Sequence, residues 1–107
     1  MVQLFLRINT SAKDVQSIMY ALRSLMLPVQ LDRGCAGCHL YVDADDPYLL
    51  SYVENWETAE DLNREIRSKR FTRLLSVMES APEPPVLEFR FLSHTRGLDY
   101  VEEVLPH

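Results

Sequence analysis

Long hydrophobic runs are missing from this chain. No apolar stretch approaches the roughly 20 residues that cross a bilayer, and the segment Met1 to Arg7 has neither the basic region nor the apolar length of an export signal. These absences predict a cytoplasmic protein with no membrane partner. A basic excess is missing too. Eleven Lys and Arg face sixteen Asp and Glu, a net charge of −5, which argues against nucleic acid as a partner. Cysteine is scarce, with two residues, and without an export signal these read as reduced thiols rather than a disulfide. There is no Gly-x-Gly-x-x-Gly, no P-loop and no His-Glu metal motif, so the devices that usually hold a nucleotide or a metal are absent from the sequence.

What is present is one ordinary domain. The chain has 107 residues, 47% apolar and 25% charged, enough for one core and not two. The expectation is a single domain over residues 1–107, with a core region at 2–92 and a tail at 93–107. Residues 2–9 alternate, with Val2, Leu4, Leu6 and Ile8 opposite Gln3, Phe5, Arg7 and Asn9, which is a strand buried on one face. Ser11 is placed to cap a helix, with Asp14 in its first turn. That helix carries Val15, Ile18, Met19, Leu22, Leu25 and Met26, and Pro28 is expected to close it. Residues 29–37 read as irregular. Strands follow at 38–43 and 48–57, joined by the turn Asp45-Asp46-Pro47 as an antiparallel hairpin.

On the strand at 48–57, Tyr48, Leu50, Tyr52 and Trp56 share one face, and Leu49 and Val53 the other. Thr58 then caps a second helical pattern built on Leu62, Ile66, Phe71, Leu74, Leu75 and Met78, whose stripe loses phase near Ser68 to Phe71. A last strand runs over 86–92. The tail at 97–107 reads equally as a short helix or an edge strand. The order β-α-β-β-α-β predicts an α+β, ferredoxin-like sandwich with the helices covering one face of a four-stranded antiparallel sheet. Large apolar groups also fall on the second sheet face, Phe5, Tyr41 and Val53 among them, and a surplus of that kind predicts a homodimer joined sheet to sheet, a dimeric α+β barrel.

The run Gly34-Cys35-Ala36-Gly37-Cys38-His39-Leu40-Tyr41, the turn Asp46-Pro47, the segment Tyr52 to Thr58 centred on Trp56, and Arg67-Ser68-Lys69-Arg70-Phe71 together resemble the antibiotic biosynthesis monooxygenase family. The resemblance covers roughly residues 2–92. It implies the ferredoxin-like fold, dimerisation and, in some relatives, oxygen-dependent oxidation of a phenolic or quinol-type substrate without a cofactor. Where haem-degrading relatives carry an axial His in the second helix, nine residues after the Trp, this chain has Glu65, which disfavours haem.

Several side chains have the chemistry for such a reaction. Trp56, Tyr52 and Tyr41 could wall a site for a small aromatic ligand, although a Trp at a strand end is equally a core anchor. His39, with an ordinary pKa near 6.5, is a candidate base. Arg7 and Arg90, on strands that should be neighbours, are candidates to stabilise a phenolate or oxygen anion, or else to pair with Glu88. Cys35 and Cys38 have C-x-x-C spacing but lead into a strand and lack two further ligands, so no metal is expected. Arg64, Arg67, Lys69, Arg70 and Arg73 read as a solvated helix face. The competing reading is a non-catalytic small-molecule binding or dimerisation module of the same fold.

Overall fold

The computed structural model describes residues 1–105. Its elements are β1 (Val2–Asn9), α1 (Val15–Gln30), β2 (Cys35–Val42), β3 (Leu49–Trp56), α2 (Ala59–Ile66), α3 (Lys69–Glu79), β4 (Val86–Phe91) and α4 (Leu98–Val104). The four strands form one antiparallel sheet in the order β2-β3-β1-β4. Helices α1, α2 and α3 cover one face. Leu4, Leu6, Ile8, Leu22, Leu50, Tyr52, Trp56 and Leu74 are enclosed between them. The opposite face carries Gln3, Phe5 and Arg7 of β1, Leu49, Ser51, Val53 and Asn55 of β3, His39 and Tyr41 of β2, and Glu88 and Arg90 of β4, and among the described residues no helix covers it. Among the described residues no helix is long and apolar enough to cross a membrane.

Four local readings change on contact with the structure. Pro28 lies inside α1 rather than closing it. The helix continues to Gln30 because Val29 is buried in the core and Gln30 Nε2 donates to the Cys38 carbonyl at 3.1 Å; that gain outweighs the hydrogen bond Pro28 cannot make. Ser11 does not cap the helix. Its carbonyl accepts from Asp14 and Val15 in a preceding turn, and its hydroxyl donates to Asp14 Oδ2 at 3.0 Å, so α1 starts four residues later. Residues 35–37 are strand, not irregular: Cys35 pairs with Trp56, Gly37 with Asn55, and the extra residue, Ala36, makes a β-bulge. Ile66 is exposed, and the residue facing the core beside Leu62 is Glu65.

The break in the second helical pattern falls where the lost phase put it. Thr58 Oγ1 accepts from the Asp61 N–H at 3.1 Å and caps α2. Ser68 caps α3 by accepting from Phe71 N–H. Within the described residues the tail forms a helix, α4, none of whose residues is buried; positions 106 and 107 of the tail lie outside the described residues. The described chain measures 54 × 34 × 21 Å with a radius of gyration of 16.0 Å, above the roughly 13 Å of a compact domain of about 100 residues. That elongation fits an α4 standing off the body.

Candidate functional site

The hairpin β2–β3 delivers two different sets of side chains to its two faces. On the helix side, Tyr52, Glu54 and Trp56 follow at every second residue of β3 and are all enclosed. Glu54 is 2% exposed. Its Oε2 accepts from the Tyr52 hydroxyl at 2.6 Å and its Oε1 from Trp56 Nε1 at 3.0 Å. Cys38, opposite Glu54 on β2, approaches the Tyr52 oxygen with its Sγ at 3.5 Å. A carboxyl in apolar surroundings is costly unless its oxygens are satisfied, and here both are.

Burial pushes the Glu54 carboxyl above the ordinary carboxylate range, with the nearby Glu65 adding to the shift; the two donors and Arg70 only partly oppose it. Burial and the Glu54 charge also raise the Tyr52 phenol. The Cys38 thiol is pushed up to about 12, chiefly by burial, and Cys35 is raised for the same reason. These thiols are therefore held in their protonated, unreactive form.

A second polar group lies beside the first. Glu65, also 2% exposed, is held by Arg70, whose Nη2 lies 2.6 Å and Nε 3.0 Å from Glu65 Oε1. The same Nη2 reaches Asp32 Oδ2 at 2.9 Å, and Nη1 reaches the Pro28 carbonyl at 3.5 Å. Arg70 thus fastens α3 to α2, to the end of α1 and to the loop before β2. Asp32 is lowered despite its burial by the Gly34 N–H and by Arg70 and Arg64. Gly34 is required here, because a Cβ at this position would sit 2.5–2.7 Å from the Asp61 side chain. Arg64 and Arg70 are therefore ion-paired, not members of a purely solvated helix face.

The six side chains singled out in the sequence fall on both sides of the sheet. Trp56 and Tyr52 are on the helix side. His39, Tyr41, Arg7 and Arg90 are on the open side, so they cannot meet the first two in one chamber of a single chain. His39 and Tyr41 are exposed and stack at 5.9 Å between ring centroids. Arg90 lies over the Phe5 ring at 4.1 Å and Arg7 at 5.6 Å, and Arg90 pairs with Glu88 at 3.0 Å. The arrangement assigns the expected base, His39, to the wrong side for a substrate walled by Trp56. Glu54 is the residue sequence reasoning passed over. Its signal was available: it sits on the face counted as Tyr48, Leu50, Tyr52 and Trp56, at the one position left out.

No protein-family model and no curated protein matches the chain. Solved structures do. A candidate antibiotic biosynthesis monooxygenase from Deinococcus radiodurans superposes with a TM-score of 0.82 at 12% identity, covering 91% of this chain and 97% of that one. Rv0793 from Mycobacterium tuberculosis gives 0.78 at 18% identity, covering 90% and 98%. A further structure named antibiotic biosynthesis monooxygenase gives 0.74 at 17%, covering 88% and 100%. At these identities the likeness establishes a shared fold: the chain has the ferredoxin-like fold of structures bearing that name.

Proposed function

We propose that this protein is a homodimeric monooxygenase that oxidises a small phenolic or quinol-type aromatic without a cofactor, and that its proton acceptor is Glu54. The observation that carries the reading is the enclosed carboxyl of Glu54, held between a phenol and an indole inside the core. Strongly perturbed acids between a sheet and its helices are where proton chemistry is expected. The fold likeness to structures named monooxygenase adds to it.

In this reading a substrate phenol takes the place of the Tyr52 hydroxyl at Glu54 Oε2. Trp56 Nε1 continues to fix Oε1, and its indole stacks on the ring. Glu54, its pKa raised by burial, is a better base than an ordinary carboxylate. Proton transfer leaves a phenolate, which reduces dioxygen directly; the substrate supplies all four electrons. For a phenol with a free para carbon the balance is one phenol and one dioxygen giving one quinone and one water. One oxygen atom enters the ring and the other leaves as water. The apolar walls keep bulk water from the intermediate. Entry requires α2 and α3 to part from the sheet, and the Arg70 bridge to Asp32 and Glu65 is the fastening that must release.

The open face then serves assembly rather than chemistry. Phe5, Tyr41, Leu49 and Val53 supply apolar contact for a second sheet, with Arg7, His39 and Arg90 around them. A second reading, a non-catalytic binding or dimerisation module, is favoured by one observation: Tyr52, Glu54 and Trp56 satisfy one another without a ligand, and among the described residues no buried side-chain nitrogen or oxygen is left unpartnered.

The test is oxygen uptake with a panel of phenols and hydroquinones, for wild type, Glu54→Gln, Trp56→Phe and His39→Ala. Wild type should consume one dioxygen per quinone formed. Glu54→Gln should lose about 10²–10⁴-fold, the usual contribution of a general base. His39→Ala should behave as wild type. Tight binding of aromatics with no turnover would establish the module instead.

A further inference from the structure

Helix α4 is amphipathic, and none of its residues is buried among the described residues. Leu98, Tyr100, Val101, Val104 and Leu105 occupy one continuous side and are each 45–70% exposed, while Asp99, Glu102 and Glu103 occupy the other. Arg96 pairs with Asp99 and Glu103 at 2.7 Å each, so the polar side is internally satisfied. Seven residues do not hold a helix in water alone; isolated helices shorter than about 12–15 residues are marginal. The apolar side needs a surface.

The same chain carries an unmatched apolar strip. On edge strand β4, Leu87, Phe89 and Phe91 point to the helix side of the sheet, opposite Leu6, Leu4 and Val2. The core reaches Leu87 and Phe89 only partly, and Phe91 is 70% exposed. The arm leaves directly from this strand, through Leu92, whose N–H is the last rung to Met1 at 2.9 Å. Among the described residues the apolar side of the arm and the Phe91 end of the strip are both left exposed.

We propose that α4 is an exchanged arm: in the homodimer, each copy lays the apolar side of α4 over the β4 strip of the other. The inference rests on the homodimer reading above. A second copy is the occupant because one chain holds both halves of the contact, and a twofold axis satisfies each half with the other. The contact also continues the open face around the β4 edge. That face is interrupted at its exposed positions by Arg7, His39, Glu88 and Arg90, whereas a stable interface needs about 800 Å² per partner with an apolar centre. Arm and strip supply apolar surface that the sheet face lacks.

The test uses sedimentation equilibrium on the full chain, on a chain ending at residue 96, and on Phe91→Glu, with circular dichroism to establish that each is folded. Phe91 and residues 97–105 are exposed. Each altered chain should dimerise about 100-fold more weakly than wild type, the loss expected when several apolar side chains per contact are left in water. A mixture of the two should form a heterodimer tighter than either alone, because the shortened chain keeps an intact strip and Phe91→Glu an intact arm. A wild-type monomer at micromolar concentration would overturn the homodimer and the exchange together. A wild-type dimer with undiminished affinity in both altered chains would leave the homodimer standing and overturn the exchange. Weakened variants with no heterodimer gain would also overturn it, since an arm docked on its own chain gives that result.

Discussion

Replacing Glu54 by Gln should change how stability depends on pH, and in an unusual direction. Most native carboxylates have lowered pKa values and lose stability as pH falls. Glu54 is shifted upward from 4.5 by burial and by Glu65, against the pull of Tyr52, Trp56 and Arg70. The folded chain therefore binds this proton more tightly than the unfolded chain. Its contribution is fully present below the unfolded value and is lost as pH rises through the folded one. Each pH unit between those two values costs about 1.4 kcal/mol. Gln has the same shape and no charge, so it removes this dependence.

Gln also donates where Glu accepted, so it keeps Trp56 Nε1 on its oxygen and presents N–H to the Tyr52 oxygen, with Tyr52 turned toward Cys38. The assay is urea unfolding of both proteins from pH 4 to pH 9. Wild type minus Glu54→Gln should fall with rising pH, beginning near 4.5, and then level off. The other groups around the site, Cys35, Cys38, Tyr52, Glu65, Arg70 and Asp32, are common to both proteins and cancel to first order. A difference that stays flat or climbs with pH would refute the account of Glu54 as a carboxyl whose burial outweighs its hydrogen bonds.

Other outcomes follow from the same geometry. Arg70→Ala strands Glu65 in the interior without its cation and should cost about 3–5 kcal/mol in denaturant unfolding, whereas Arg64→Ala, whose side chain is 54% exposed, should leave the unfolding midpoint nearly unchanged. With iodoacetamide at pH 8, Cys35 should be alkylated slowly and Cys38 only on unfolding, as mass spectrometry of the native and urea-treated chains will show; equal labelling of both in the native state would contradict the burial that raises Cys38 to about 12. Pro28→Ala restores a helical N–H within α1 and should raise thermal stability; a loss would mean that the proline's ring packing matters more than its missing hydrogen bond.

Most of the strands, the capped start of α2 and the break before α3 were legible because they depend on local chemistry. Alternation in β1, a Thr before an acidic turn and a phase slip in the apolar stripe each act within a few residues. The start of β2 and the end of α1 were not, since both are decided by long-range partners: Trp56 recruits Cys35 into the sheet, and the core recruits Val29 past a proline. The candidate site was half legible. Tyr52 and Trp56 stand on the face that alternation gives them. Glu54 was hidden by the habit of assigning carboxylates to solvent, and Glu65 was noted only as an absent histidine. Nothing local announces that a Glu is interior; the two donors that make it tolerable are its own neighbours at positions 52 and 56, and Arg70, which holds Glu65, comes from another helix.

The bulge at Ala36 has a consequence for parity. Two cysteines separated by two residues in a regular strand point to opposite sides, because three steps is an odd number. Here β2 takes one more residue than its partner over the same length, and an odd count becomes even: Cys35 stands across from Trp56 and Cys38 across from Glu54, two positions of β3 that share a side. Everything after the bulge is thereby set one step out of phase with everything before it. Removing Ala36 would let the ladder close without a kink and with its pairs unchanged, Cys35 across from Trp56, Gly37 from Asn55 and Cys38 from Glu54, so every side chain would keep its side. Pairing Ala36 into a regular ladder instead would turn Cys35 outward and draw Gly34 from its place against Asp61. A one-residue deletion at this point should therefore leave both thiols as buried as they are in the bulged strand.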